Sequence, residues 1–223
     1  MQLPAITSSP QTRVRYGRYV ARRLRRAKLT TLADDATSAT NDLRTAARAW
    51  DDTDDATQEA IADRDAADDD LDVTAQEVRT SLAGRGINAA KEAPYTLIFP
   101  NGVSYYTAAP LDEETKRYGE LAQRLTEHLP ANDPARKKAL KEIGPGIESF
   151  KAATASLEAA RTAEALASTR VAKATDAWTK QMEKTYGALV SEVGRAQADL
   201  FFPRVNKKPK KAQPADKPDG APA

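Results

Sequence analysis

Between Gly17 and Gly84 the chain carries no glycine and no proline, a run far longer than an ordinary globular helix. The residues that punctuate turns are missing, so the run predicts one long helix rather than a set of strands. Every seventh residue from Leu29 reads Leu29, Ala36, Leu43, Trp50, Thr57, Arg64, Leu71 and Val78, and the companion row three positions on reads Leu32, Ala39, Ala46, Thr53, Ala60, Ala67, Thr74 and Ser81. Rows spaced in this way make the narrow seam of a coiled coil. The Asp51-Asp52-Thr53-Asp54-Asp55 cluster leaves that frame unshifted.

A second glycine-poor run starts at Ile147 and continues to Phe202. Folding it back antiparallel with a constant index sum of 228 sets Trp178 opposite Trp50, Leu157 opposite Leu71 and Glu164 opposite Arg64. Large then meets small in several layers, as interdigitating seams require. The expected fold is all-α, a long antiparallel two-helix coiled-coil hairpin with helix one over 29–83, a head over 84–146 and helix two over 147–202.

Within the head, Tyr95-Thr96-Leu97-Ile98-Phe99 and Val103-Ser104-Tyr105-Tyr106-Thr107 flank Pro100-Asn101-Gly102. Asn-Gly between β-rich runs predicts a β-hairpin over 95–107. Short helices are expected over 111–129 and 134–143, the second capped by Asp133, with Gly144-Pro145-Gly146 closing the insertion. A two-stranded hairpin must dock one face and expose the other, which makes Phe99, Tyr105 and Tyr106 interface candidates.

Composition narrows the chemistry. Leu, Ile, Val and Phe account for 36 of 223 residues while alanine supplies 43, a mixture suited to thin, closely spaced helices. There is no cysteine and one histidine, His128, so disulfides, thiolate sites, multi-histidine metal centres and histidine-based triads are excluded. His128 sits at an expected helix end, where a cation suits the dipole. Gly84-Arg85-Gly86 and Gly144-Pro145-Gly146 lack the context of a phosphate loop. Asp65 with Asp69, and Asp68 with Asp72, share a helical face and offer oxygen ligands to a divalent cation, but the context is helical and has no central glycine of a calcium loop, so they read as a solvated acidic surface. No nucleophile, base and orienter converge, so a non-enzyme with no cofactor and no metal site is expected. No run of 18 apolar residues or apolar leader occurs, which sets the expected location as cytoplasmic.

Charge is the sharpest signal. The net charge of +2 conceals a block of +8 over residues 1–28 and one of −12 over 29–78. The basic arm, expected to be helical from about residue 12, carries Arg13, Arg15, Arg18, Arg22, Arg23, Arg25, Arg26 and Lys28. A Lys/Pro/Ala tail over 203–223, with Lys207, Lys208, Lys210 and Lys211, has too little apolar surface to order and reads as disordered. Arg15, Arg18, Arg22 and Arg25 occupy the positions that Leu29 and Leu32 fill later, so the arm would carry a basic stripe on the same helix as the seam. Such a stripe meets solvent, phosphates or acids. Two functions follow: a structural or scaffolding protein assembling with itself or an acidic protein surface through rod, head and charge blocks, or a nucleic-acid-associated protein gripping DNA or RNA phosphates through the arm and tail.

Overall fold

A computed structural model of the chain describes residues 1–204, so the tail lysines Lys207, Lys208, Lys210 and Lys211 lie outside the described residues. The protein is all-α, with no strand among the described residues. In chain order the helices are α1 (Pro10–Arg26), α2 (Thr30–Ala83), α3 (Tyr95–Ile98), α4 (Ser104–Thr107), α5 (Glu114–His128), α6 (Pro134–Val193) and α7 (Arg195–Ala198), with 3-10 turns at Ala89–Lys91 and Asp199–Phe201. Among the described residues no helix is long and apolar enough to cross a membrane. The chain divides into two compact units: residues 1–49 together with those from 168 onward, and residues 50–167. Both long helices contribute to each unit.

In the first unit α1 opens on a cap its sequence specifies. Ser9 Oγ accepts from the Thr12 amide at 3.2 Å, and Pro10 takes the first turn, where its missing N–H costs nothing. Val14, Gly17, Val20, Ala21 and Leu24 recur at helical spacing and are buried with Ala33, Ala36 and Leu43 of α2 and Trp178, Met182 and Leu189 of α6. Fully burying Val20 and Leu24 contributes roughly 1.5–3 kcal/mol each.

The arm and the first long helix do not form one helix. After Arg26, Lys28 takes φ 63° and the Leu29 amide donates to the Leu24 carbonyl at 3.1 Å, a left-handed closure that turns the chain before α2 begins. The basic stripe therefore lies on a separate helix folded onto the bundle, not on an extension of the α2 seam. A lysine in this conformation carries roughly 1–2 kcal/mol of strain, part of which glycine would return as unfolded-state entropy. Lys28→Gly is expected to raise stability by about 0.5 kcal/mol in thermal unfolding; a fall in the melting midpoint would contradict the closure.

Trp178 sets the register of this unit. Its Nε1–H donates to Thr40 Oγ1 at 3.2 Å, and its ring meets Tyr16 edge-on at 5.9 Å between centroids. Thr40 thus stands where Trp50 was expected, a displacement of ten positions or about three helical turns. The gap is filled by α1, which the two-helix register did not include: a Cβ on Gly17 would collide with the Thr40 hydroxyl and sit 2.8 Å from Trp178 Nε1.

The second unit departs from expectation in the same direction. Gly146, not Leu157, lies against Leu71, where an added Cβ would come within 2.7 Å of Leu71 Cδ2. Gly144-Pro145-Gly146 does not end an insertion; Pro145 lies inside α6, which begins at Pro134 rather than at 147. The glycine next to that proline serves close packing. Arg64 pairs with its neighbour Asp65 and not with Glu164.

The expected β-hairpin over 95–107 is absent; α3 and α4 are single helical turns joined through Gly102 at φ 78°. A strand sends adjacent residues to opposite faces, yet Ile98 and Phe99 are both buried, along with Tyr106, against Tyr118, Leu121 and Leu125 of α5. Helical turns put this set on one side, and tertiary burial overrides local β preference. Tyr106 Oη closes the pair by donating to the Ile98 carbonyl at 3.0 Å. At the start of α6, Asp133 Oδ1 accepts from the Ala135 amide at 2.9 Å and pairs with Arg85 at 2.8 Å, which holds its carboxyl below the usual range.

Candidate functional site

The arginines of the arm divide by face. Arg13 is buried and spent on structure, donating to the carbonyls of Ala5, Ile6 and Ser8. It is not available to a partner. Tyr16 is likewise buried, with its hydroxyl on the Gln2 carbonyl at 2.6 Å. Arg15, Arg18, Arg22, Arg23, Arg25, Arg26 and Lys28 are exposed. Arg23 reaches the Leu200 carbonyl and Arg25 pairs with Asp34 at 2.8 Å, two solvent-screened contacts of small energy. Among the described residues no ion pair involves Arg15, Arg18, Arg22 or Arg26.

Arg15, Arg18, Arg22 and Arg25 recur at three- and four-residue steps, so they stand on one side of α1 while the apolar face is anchored in the unit. Beside them, between α1 and α2, lies a cleft of about 310 Å³ lined by Arg18, Ala21, Arg22 and Arg25 from one helix and by Thr37, Thr40 and Asn41 from the other. Arg44 follows Asn41 by three positions on the same side of α2, and its buried Nε has no hydrogen-bond partner among the described residues. Arg48, one turn further, is exposed. Neither Arg44 nor Arg48 was singled out from the sequence. They lie in the acidic block, and only their recurrence with Thr37 and Asn41 on one helical face could have marked them. Tyr19, 44 % exposed, stands beside Arg18 on the outer side of α1.

The aromatic interface candidates take a different place. Phe99 and Tyr106 are buried, and Tyr105 is half-buried, donating to Glu120 Oε2 at 2.9 Å under the Arg117 guanidinium, which lies 4.5 Å from its ring centroid. All three are core or core-edge residues of the second unit, because α3 and α4 turn them toward α5.

The acidic run is not uniformly solvated. Asp69 and Asp70 are exposed, but Asp68 and Asp72 are half-buried and meet Glu114 of α5, with one oxygen from each of the three within 4.8 Å of the others. Glu114 is 1 % exposed. Burial, and then the Asp68 and Asp72 charges, push its carboxyl up to about 8. Tyr118 Oη donates to Asp72 Oδ1 at 2.7 Å. Glu114 lies far from Asp68 in sequence and has no helical partner that would flag it. His128, at the end of α5, is half-buried and 3.9 Å from Glu127.

Searches against protein-family models, curated proteins and solved structures find no match to this chain.

Proposed function

We propose that this chain is a non-enzymatic binding protein that holds the phosphate backbone of DNA or RNA, without sequence preference, on the arginine face of α1. One observation carries the reading: four arginines stand on one side of a helix whose other side is locked into a core, and three of them, Arg18, Arg22 and Arg25, line a cleft with Ala21, Thr37, Thr40 and Asn41. No aromatic or large aliphatic side chain lines this cleft, of the kind that centres a protein interface, whereas its guanidinium forks and hydroxyls suit phosphate oxygens. Exposed Tyr19 adds a surface on which a base can stack. Paired as an antiparallel coiled coil, the long helices act as the frame that presents α1, and a cytoplasmic setting belongs to the same proposal.

A second reading, a scaffold assembling through its opposite charge blocks, draws on the exposed Asp51, Asp52, Asp54 and Asp55. Titrating labelled DNA, labelled RNA and polyglutamate with the full chain at about 50 mM salt separates the two. Replacing Arg15, Arg18, Arg22 and Arg25 with Gln is expected to weaken nucleic-acid binding at least about tenfold, equally across sequences, while leaving the melting midpoint nearly unchanged. A parent chain that ignores both nucleic acids yet forms oligomers at low salt, lost in the same variant, would favour the scaffold.

A further inference from the structure

Three carboxylates converge in the second unit with no cation among them. Asp68 and Asp72 sit one turn apart on α2, and Glu114 opens α5, drawn in by Tyr118 and Leu121, which bury on the same face of that helix. None of the ion pairs among the described residues involves Asp68, Asp72 or Glu114. Arg117, whose charge acts on Glu114, is already committed to Glu113 at 2.6 Å and to the Tyr105 carbonyl. A surface acidic run would leave its carboxylates to water. Here Glu114 is almost wholly buried, and its Oε1 has no hydrogen-bond partner although it faces two further carboxylates. Three carboxylates packed this closely cannot all ionise without a counter-charge, and a cation supplies one.

We propose that Asp68, Asp72 and Glu114 form a binding site for a hard divalent cation of the Mg2+, Mn2+ or Ca2+ class. Oxygen-only donors select this class over zinc or copper. The oxygen separations, all within 4.8 Å, suit atoms arranged around one ion, and water completes the coordination through the half-buried side of Asp68 and Asp72. Tyr118 supplies what a ligating carboxylate ordinarily has behind it: its hydroxyl donates to Asp72 and fixes that carboxylate's orientation. The ion would tie α2 to the start of α5 inside one unit, so binding stabilises the fold by mass action.

Thermal unfolding of the full chain after chelator treatment, with Mg2+, Ca2+ or Mn2+ added back alone, tests the site, with Mn2+ electron paramagnetic resonance counting bound ions. A saturable rise in melting midpoint and a bound Mn2+ are expected for the parent. Glu114→Gln, which keeps the size of the side chain and removes its capacity to ionise, should lose both the ion-dependent rise and the bound Mn2+. Tyr118→Phe, which keeps the ring and removes the donor, should weaken ion affinity about tenfold. Asp54→Asn, an exposed carboxylate about four helical turns away on α2, should change neither readout. No ion-dependent rise and no bound Mn2+ up to millimolar concentration would overturn the site, as would ion binding that persists in Glu114→Gln and Asp72→Asn.

Discussion

Gly17→Ala is expected to destabilise the protein by about 1–3 kcal/mol, against the sign of helix propensity, which favours alanine over mid-helix glycine by about 1 kcal/mol. The site has no room. A Cβ there would strike the Thr40 hydroxyl and lie 2.8 Å from Trp178 Nε1. Both neighbours are themselves fully buried and hydrogen-bonded to each other, so neither can move without opening that bond. The strain adds to the loss of a buried hydrogen bond, about 1 kcal/mol. Gly119, on the exposed side of α5 with nothing within 4 Å of its Cβ position, is the matched control. Gly119→Ala should stabilise by about 0.5–1 kcal/mol. Opposite signs for the two substitutions in thermal unfolding would establish that α1 is packed, not merely tethered. Equal signs would refute the packing of α1 on Thr40 and Trp178.

Trp178→Ala is expected to cost about 3–5 kcal/mol, the largest loss from any single truncation in the first unit. Trp178 is 1 % exposed and touches α1 through Tyr16 and α2 through Thr40, so its removal leaves a cavity bounded by three helices. Trp50 is only half-buried, and Trp50→Ala should cost about 1 kcal/mol. Paired seam residues would give similar losses and strong coupling in the double variant. Unequal losses support the Thr40 register; equal losses would restore the pairing of Trp50 with Trp178.

The helical class was legible because the long run from residue 30 to 83 holds no glycine or proline: α2 ends at Ala83 just before Gly84, and the last long helix stops at Val193 before Gly194 at φ 77°, whereas the turn at Lys28 carries no such mark and Gly144-Pro145-Gly146 lies inside α6. Capping at Ser9 and Asp133 follows the same local chemistry. Register was not legible. An alanine-rich heptad accepts many alignments at similar energy, and what selects one is the fit of Trp178 over Gly17 and of Leu71 over Gly146, glycines supplied by α1 and by a segment that reads as a loop. The hairpin expectation failed for a related reason. Pro100-Asn101-Gly102 does turn the chain, with Gly102 at φ 78°, but the flanking β-branched and aromatic residues answer to α5, which alternation within ten residues cannot reveal. Among the site residues, the exposed arginines of α1 could be read from charge and spacing. Arg13 could not be told from them, since its role depends on where the carbonyls of Ala5, Ile6 and Ser8 fall. Glu114 was invisible because burial next to Asp68 and Asp72 is purely tertiary.

If α1 presents its arginines to phosphates, the salt dependence of binding reports it. Equilibrium affinity of the full chain for a mixed-sequence DNA duplex, measured between about 50 and 200 mM salt, should fall with a log–log slope of roughly −4 or steeper, because each neutralised phosphate contributes close to one unit. With Arg15, Arg18, Arg22 and Arg25 changed to Gln, the slope should become shallower by about three to four units at unchanged helical content. A parent chain with no measurable affinity at the lowest salt, or a slope that the four substitutions leave unaltered, would contradict the assignment of this face to nucleic acid.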